Sequence, residues 1–449
     1  MRRFLANDSL FMTSSLLTQL SRKEKNKAFA LGSRVDVGPS ALAVTVSVLG
    51  ILYLLQAISP LRLDNDSVVY LHMATNIADG IRIDTTGLPP GYPTFIAALD
   101  GLGLGRSFVF VLMNCVFIAI GLACVQFIFR QSRAGRISWV VPLSMLSAVF
   151  IRYLPMPHPE LMFFGVSMAA VAAMTAAVSS DGKRRLWLLG AAIVLTIVAI
   201  TVRLVGFALV PAVLWSCFHR RTVLPGKHLT WERSGKWLAA ATLVGLTVVA
   251  LIILRESFRK YSFEAALGYQ DQDVWTQIRF RVQGMLLPIG ELTINVPFTR
   301  FPAYRPAFIV AGLGTLVWIV GSLRIRLPRT PAGIYMVSFF LLLVLWPYNV
   351  LRLWLPIVPL LIGNLEGASP RFERGPRWKL FTRSYLAWYT FAAACALGYT
   401  TSITLSGKNF PNVYGQAGGM SAPDPTTGKI DVLHDQRARE LMKRYGNPF

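Results

Sequence analysis

Residues 107–129 read SFVFVLMNCVFIAIGLACVQFIF, an apolar run of 23 residues that contains no charged side chain. A helix of about 20 apolar residues spans the hydrocarbon core of a bilayer. Similar runs recur along the 449-residue chain, which is 54% hydrophobic and only 15% charged, with a mean hydropathy of +0.50. A soluble protein carries far more charge. The sequence therefore predicts an all-α polytopic membrane protein.

The apolar runs predict about eleven transmembrane helices. One region is ambiguous, because residues 186–218 around Arg203 fit either one long kinked element or a re-entrant hairpin. The predicted spans are 40–59, 107–129, 137–153, 160–178, 186–201, 204–218, 237–254, 306–323, 332–348, 353–365 and 385–405.

The basic residues predict the orientation of these helices. The net charge is +23, but Lys and Arg cluster in alternate short loops, which is the pattern that orients membrane helices. The sequence has no nucleic-acid motif or basic stripe with interleaved aromatics, so membrane lipids are the expected partners and nucleic acid is not. The N-terminus is expected inside and the C-terminus outside, as in a bacterial inner membrane.

This orientation divides the chain into three parts. Residues 1–39 are expected to form a cytoplasmic basic tail, residues 40–405 the transmembrane module, and residues 406–449 an outer polar tail with a helix at 431–445. The long outer loops are residues 60–106 and residues 255–305, and the second is expected to contain short interfacial helices.

The first outer loop contains the most unusual polar sequence. This sequence starts with Leu63-Asp64-Asn65-Asp66-Ser67-Val68-Val69-Tyr70 and runs on to Pro89-Pro90-Gly91-Tyr92-Pro93. Acidic groups beside lipid are costly and usually functional. Apolar residues at helical spacing predict a helix of about four turns along the interface; they are Tyr70, Leu71, Ala74, Ile77, Ala78 and Ile81. Asp66, at its start, fits a helix cap as well as a functional carboxylate.

Further polar residues stand at the predicted outer ends of spans. Glu160 follows His158 and Pro159 at the head of one span, where a carboxylate also complements the helix dipole. Arg203 and Arg352 lie on outer turns that are otherwise poor in basic residues. They fit phosphate binding, although arginines also reach toward lipid headgroups for purely structural reasons. His158 fits a base, a metal ligand or neither role.

Together these motifs resemble those of the GT-C glycosyltransferases. The acidic–x–acidic pair, Tyr70, Gly80 and the Pro-Pro-Gly-Tyr-Pro element are similar to the first outer loop of that superfamily. They look most like bacterial relatives of protein O-mannosyltransferases and lipid A aminoarabinose transferases. The resemblance covers residues 40–365 and continues with Pro159-Glu160-Leu161, Arg203-Leu204-Val205-Gly206-Phe207 and Arg352-Leu353-Trp354-Leu355-Pro356-Ile357-Val358-Pro359.

The resemblance implies sugar transfer from a polyprenyl-phosphate-linked donor on the outer face, with a first-loop acid as the base. Asp66 matches that acid best and Asp64 is the second choice. The loop lacks the Asp-Glu pair of the protein mannosyltransferases, so the acceptor is left open as an envelope glycan, a lipid or a protein. Substrate binding is assigned to Glu160, Tyr70, Tyr92 and His158, and donor-phosphate binding to Arg203 and Arg352.

The chemistry of the residues supports the same assignment independently. A sugar hydroxyl attacks well only when a positioned base takes its proton, and a leaving phosphate needs arginine or lysine nearby. An Asp-x-Asp pair also holds a metal ion on nucleotide sugars in soluble glycosyltransferases. Those donors are cytoplasmic, whereas this loop is expected outside. No cofactor and no metal ligand are assigned, although a divalent metal ion is compatible with the motif.

Several other features have a structural interpretation. The four cysteines all fall in apolar runs without CxxC spacing, so neither a disulfide framework nor a metal site is indicated; they are Cys115, Cys124, Cys217 and Cys395. Asp271 and Asp273 form a second acidic pair, but they lack the flanking motifs and are expected on a solvated surface.

Two other function classes compete with an interfacial transferase. A transporter or flippase of lipid-linked sugars usually has paired broken helices and charges at mid-membrane depth, whereas the charges here lie at span ends. A glycan polymerase or ligase would place its large outer loop late in the chain, whereas this chain has a long first loop.

Overall fold

The computed structural model describes residues 39–81, 88–132, 139–219, 241, 245, 273–298, 301–326, 330–345, 351–368, 376–406 and 432–446. Within these residues all regular structure is helical, which confirms the all-α class. The chain divides into two compact units, Met1–Thr45 and Val46–Phe449. Every candidate site residue lies in the second unit.

Several helices are long and apolar enough to cross a membrane. Five meet this requirement within the described residues, and they coincide with five of the predicted spans: Ser40–Ile58, Ser107–Gln131, Pro159–Val178, Gly182–Val202 and Pro302–Gly321. Shorter apolar helices follow at Leu204–Phe218, Val282–Ile294, Pro331–Val344 and Leu351–Asn364. The chain is therefore an integral membrane protein. The predicted span at 237–254 lies outside the described residues apart from two isolated positions.

The remaining bounds are as follows. The α-helices are Pro39–Leu55, Asn65–Ala78, Gly91–Gly101, Ser107–Ser132, Val140–Met145, Ala148–Tyr153, Pro159–Val178, Gly182–Val202, Val210–Phe218, Val274–Ile294, Arg305–Arg326, Pro331–Leu345, Val358–Ala368, Pro376–Leu405 and Val432–Tyr445. Short 3-10 turns occupy Gln56–Ile58, Leu204–Leu209, Pro302–Tyr304 and Leu351–Ile357. Val432–Tyr445, here called the C-terminal helix, confirms the helix expected at 431–445.

The predicted span at 137–153 is not one continuous helix. The chain breaks at Ser147, whose backbone is extended, between the helices Val140–Met145 and Ala148–Tyr153. Asn295 satisfies the freed backbone groups: its Oδ1 accepts from Ala148 N at 2.7 Å, and its Nδ2 donates to Leu146 O at 2.9 Å. The prediction was wrong because this stabilising side chain comes from a distant part of the chain.

Around Arg203 the chain forms two separate elements and not one long kinked helix. The helix Gly182–Val202 ends at Arg203, whose backbone is extended, and a 3-10 turn begins at Leu204. Gly206 packs so closely that a Cβ there would lie 2.7 Å from the backbone nitrogen of Ile200. The chain folds back on itself at Arg203, so that Arg185 Nη2 donates to Ser216 O at 3.0 Å. Residues 182–218 are here called the Arg203 hairpin, and a larger residue at Gly206 would force its two arms apart.

The described part of the loop predicted at 255–305 also differs from expectation. Val274–Ile294 is one helix of 21 residues with Pro288 inside it, rather than several short helices. It ends at Asn295, whose φ of 62° is left-handed, a conformation that asparagine tolerates better than most residues. The segment 255–272 lies outside the described residues.

The loop at 60–106, predicted to be the first outer loop, contains two helices that position the candidate site. Asn65–Ala78, here called the first-loop helix, has 14 residues and confirms the predicted four turns. Gly91–Gly101, here called the second loop helix, starts within the Pro-Pro-Gly-Tyr-Pro element. A Cβ on Gly91 would lie 2.7 Å from the backbone of Thr201, so only glycine lets this helix approach the Arg203 hairpin so closely.

Candidate active site

The first-loop helix is capped by Asp64 and not by Asp66. Asp64 has an extended backbone, and its Oδ1 accepts from Ser67 N at 2.9 Å. In return Asp64 N donates to Ser67 Oγ at 2.6 Å, which completes a capping box. The expectation that Asp66 could be the cap was wrong because the helix begins at Asn65. Asp66 is thereby left inside the first turn, with its carboxylate available for other contacts.

The second carboxylate oxygen of Asp64 contacts a buried histidine. Asp64 Oδ2 lies 2.8 Å from His158 Nε2, and the other ring nitrogen, Nδ1, lies 3.4 Å from Glu160 Oε2. Burial by itself would lower the pKa of His158, but the carboxylates of Asp64 and Glu160 outweigh it and raise the pKa to about 9. His158 is therefore a cation at neutral pH, which is unsuitable for a general base.

The same interactions keep Asp64 ionised. Burial by itself would raise the pKa of Asp64, but His158, the Ser67 hydrogen bond and Arg352 together hold that pKa well below its ordinary value. A carboxylate held by these partners is fixed in direction and binds protons weakly. Asp64 is accordingly better suited to holding the helix start and His158 in place than to taking a proton from a substrate.

Glu160 is the buried centre of the cluster. It lies in the first turn of the helix Pro159–Val178. Its Oε1 is 3.2 Å from Arg203 Nη1 and 3.3 Å from Arg352 Nε, and its side chain is almost fully buried. A buried carboxylate is tolerated only when it is paired, and here two arginines and His158 surround it.

Arg352 joins the late motif to the first loop. It is the second residue of the 3-10 turn Leu351–Ile357. One guanidinium nitrogen, Nη2, contacts Asp66 Oδ2, and Nη1 lies 3.8 Å from Asp64 Oδ2. Since Nε faces Glu160, the planar guanidinium group faces three carboxylates from two separate regions of the sequence.

Arg203 connects the hairpin to the two loop helices. Besides Glu160, its Nη1 donates to the Tyr70 hydroxyl at 3.3 Å. The Tyr70 ring packs edge-to-face on Tyr92, with 5.7 Å between the ring centroids. Burial, the Glu160 carboxylate and Tyr70 raise the pKa of Tyr92 well above its ordinary value, so Tyr92 stays a neutral phenol.

All eight residues assigned from the sequence thus lie in one cluster, but they differ in exposure. Four side chains reach solvent: Asp66 is 40% exposed, Asp64 35%, Arg352 18% and Arg203 13%. The other four are buried: Tyr70, Tyr92, His158 and Glu160. The exposed four, which are two carboxylates and two arginines, are here called the rim. The buried four contact them: His158 lies against Asp64, Glu160 against both arginines, and Tyr70 against Arg203.

The three carboxylates of the cluster are all paired with cations. No group of three or more His, Cys, Asp and Glu side chains suited to a metal ion occurs among the described residues. In the cluster each carboxylate faces an arginine or the protonated His158 instead. The three carboxylates and three cations balance each other in charge.

The structure also adds residues that sequence reasoning missed. Ser67 completes the capping box, and the Asp-x-x-Ser spacing was a signal that could have identified it. Tyr153 packs edge-to-face on His158 with 5.6 Å between ring centroids, a contact without a sequence signal. Asp273 is exposed and caps its helix by accepting from Thr276 N at 2.9 Å, which confirms its surface assignment.

Comparisons with known proteins give low similarity over most of the chain. No protein-family model matches it, and no curated protein matches it. The chain is similar to a crystal structure of ArnT from Cupriavidus metallidurans bound to undecaprenyl phosphate, with 16% identity and a TM-score of 0.45 over 83% of this chain and 77% of that chain. For ArnT from Cupriavidus metallidurans in the apo state the identity is 16% and the TM-score 0.47, over 82% and 76% of the two chains.

Proposed function

We propose that this protein is a membrane glycosyltransferase of GT-C type that moves one sugar from a polyprenyl-phosphate-linked donor to an acceptor hydroxyl. The observation that carries the proposal is that Arg352 contacts the partly exposed Asp64 and Asp66 and shares the buried Glu160 with Arg203. Such a transfer needs cations for the leaving phosphate and a carboxylate for the attacking hydroxyl. The rim supplies both groups within one cluster.

The outer face of the membrane is the proposed location of this reaction. The distribution of basic residues among the loops supports this location, and nucleotide sugars, which are cytoplasmic, would not reach it. A lipid-linked sugar reaches the rim from within the bilayer, because the rim lies at the ends of apolar helices such as Pro159–Val178. The acceptor is an envelope glycan, lipid or protein that carries a free hydroxyl group.

The proposed step is a single displacement. The acceptor hydroxyl gives its proton to the Asp66 carboxylate while its oxygen forms a bond to the anomeric carbon of the donor sugar. The bond between that carbon and the phosphate oxygen breaks, and its electron pair stays on the polyprenyl phosphate. One displacement inverts the configuration at the anomeric carbon. Arg352 and Arg203 stabilise the charge that develops on the phosphate.

Arg352 has a second role in this mechanism. It is bound to Asp66 in the present structure, and phosphate oxygens compete well for a guanidinium group because they accept two parallel hydrogen bonds. A donor phosphate that draws Arg352 toward itself leaves Asp66 free to accept from the acceptor hydroxyl. Donor binding therefore precedes activation of the acceptor.

The buried residues are proposed to hold this arrangement in place. His158 and Glu160 fix Asp64, Arg203 and Arg352 from behind. Tyr70 and Tyr92 fill the space between the loop helices and the Arg203 hairpin. Their burial makes positioning a better assignment for them than direct substrate contact.

Lipid binding and sugar transfer by the reconstituted protein test the proposal. Undecaprenyl phosphate should bind more tightly than undecaprenol, which has the same chain without the phosphate. Arg352→Lys should weaken phosphate-lipid binding by roughly tenfold, since lysine cannot form the paired hydrogen bonds. Arg305→Lys is the matched control, because Arg305 is exposed and bonds Gln283 outside the site.

Two outcomes would contradict the proposal. Equal affinity for undecaprenyl phosphate and undecaprenol would show that Arg352 and Arg203 do not recognise the phosphate. Movement of an intact lipid-linked sugar across the bilayer, without release of polyprenyl phosphate, would indicate a transporter instead. The expected result is loss of sugar from the donor lipid and its appearance on the acceptor.

A further inference from the structure

The C-terminal helix packs against the first-loop helix through its last residues. Its final turn contains Leu441, which is buried, followed by Arg444 and Tyr445. Arg444 and Tyr445 contact side chains near the ends of the two loop helices, and Tyr445 also packs on the transmembrane helix Ser107–Ser132. None of these contacts belongs to the candidate site itself.

Arg444 bridges two carboxylates that end different helices. Its Nη1 and Nη2 each lie 3.0 Å from an oxygen of Asp79, the residue that follows the first-loop helix. Its Nε and Nη2 lie 3.0 Å and 2.6 Å from Oδ2 of Asp100, near the end of the second loop helix. Paired arginine–carboxylate contacts of this kind are directional as well as strong.

Tyr445, which is buried, also contacts both loop helices near the ends that Arg444 bridges. Its side chain is fully buried, and its hydroxyl lies 3.2 Å from Thr75 Oγ1 and 3.3 Å from Asp100 Oδ2. Its ring packs on Phe110 with 5.6 Å between centroids. One residue therefore contacts the first-loop helix, the second loop helix and the transmembrane helix that follows them.

The two helices that meet here also carry the candidate site at their opposite ends. The first-loop helix has Asp64 and Asp66 at its start and Asp79 after its end. The second loop helix has Tyr92 near its start and Asp100 near its end. The two helices are stiff and about 16 to 21 Å long. Contacts that hold Asp79 and Asp100 at one end therefore limit how far the other end, with Asp66 and Tyr92, can tilt.

We infer that the C-terminal helix is a positioning element of the candidate site, which it controls through Arg444 and Tyr445. Both side chains hold the loop helices at the angle that places Asp66 against Arg352 and Tyr70 against Tyr92. This inference rests on the proposed function for its effect on turnover, whereas its effect on the loop helices is independent of it. A misplacement of about 1 Å at a reacting group can lower a rate by roughly 100-fold.

The test compares Arg444→Ala with Lys443→Ala in the full chain, because Lys443 is an exposed neighbour whose removal changes the charge equally. Hydrogen exchange at the amides of residues 64–81 and 88–101 should speed up in Arg444→Ala and stay unchanged in Lys443→Ala. Sugar transfer should fall by roughly 10- to 100-fold in kcat in Arg444→Ala, with little change in KM. Arg444→Lys should recover part of the loss.

A second set of variants separates positioning from general misfolding. The double variant Asp79→Asn, Asp100→Asn should reproduce the exchange pattern of Arg444→Ala. Adding Arg444→Ala to this double variant should cause little further change, because the three side chains act as a unit. Faster exchange confined to residues 432–446, with full transfer activity, would overturn the inference. If the wild-type protein transfers no sugar but the exchange pattern holds, the proposed function fails and the positioning role of Arg444 in the loop stands.

Discussion

Arg352 binds the carboxylate of Asp66 across 286 residues of sequence. This contact joins the late arginine motif to the first-loop helix, and the Nε of the same guanidinium faces the buried Glu160. One side chain thus links the exposed rim to its buried support. Its loss should affect donor binding, the direction of Asp66 and the pairing of Glu160 together.

Arg352→Lys should lower sugar transfer far more than it lowers stability. Lysine keeps the positive charge, but as a point charge it cannot contact Asp66, Asp64 and a phosphate in one plane. We expect transfer to fall by roughly 10²-fold with a small change in Tm. Measured rates and melting curves of Arg352→Lys and the exposed control Arg305→Lys check this. Wild-type transfer by Arg352→Lys would rule out a bidentate role.

Asp64 and Asp66 should separate in their effects on stability. Asp64→Ala removes a helix cap, which costs about 1 kcal/mol, and it also removes a partner of the buried His158. Its Tm should therefore fall clearly below that of Asp66→Asn, which should melt close to wild type because Asp66 is partly exposed. Asp273→Ala provides the control, since Asp273 caps an exposed helix start and has no histidine partner. Equal melting temperatures for Asp64→Ala and Asp273→Ala would contradict the link to His158.

The protonation of His158 makes a pH-dependent contribution to stability. The pKa is raised from 6.5 to about 9 by Asp64 and Glu160 against the effect of burial. Because the folded pKa is the higher one, the stabilisation is complete below the ordinary pKa and is lost as pH rises through about 9. The Tm of the detergent-solubilised protein should fall between about pH 7 and about pH 10, and His158→Gln should flatten that fall. An identical slope in both proteins would show that His158 does not titrate there.

Glu160→Gln should destabilise the cluster strongly. The change leaves Arg203, Arg352 and His158 without the carboxylate that they share, and breaking a buried ion pair costs about 3 to 5 kcal/mol. Glu291→Gln is a suitable control, because Glu291 is buried outside the cluster and accepts from Phe298 N at 2.6 Å, a bond that glutamine can retain. A smaller loss of Tm in Glu160→Gln than in Glu291→Gln would contradict the central place of Glu160.

Sequence patterns predicted which residues belong to the cluster, but they did not predict which of these residues contact each other. Hydropathy predicted the helical membrane class. The polar residues of the first loop and of the span ends gave six candidate positions, and the resemblance of the first-loop motifs to GT-C glycosyltransferases added Tyr70 and Tyr92. Local spacing could not decide between Asp64 and Asp66 as the cap, because the two differ by less than one helical turn. The start of the helix at Asn65 decides it, and that start depends on partners such as His158.

Other features had no local signal at all. The break at Ser147 is stabilised by Asn295, and the contacts of Arg444 with Asp79 and Asp100 join residues that lie far apart in sequence. Such pairings depend on how helices pack, which hydropathy does not report. They explain why the span at 137–153 was predicted as one helix and why the C-terminal helix was not connected to the loop.

Asp66→Asn tests the central claim most directly. The measurement is mass analysis of envelope glycans and lipids from a deletion strain complemented with either the wild-type protein or Asp66→Asn at equal membrane levels. General-base catalysis contributes roughly 10²- to 10⁴-fold to a rate. The wild-type protein should restore the sugar that is missing in the deletion strain, and Asp66→Asn should not restore it. Full restoration by Asp66→Asn would contradict the assignment of Asp66 as the base.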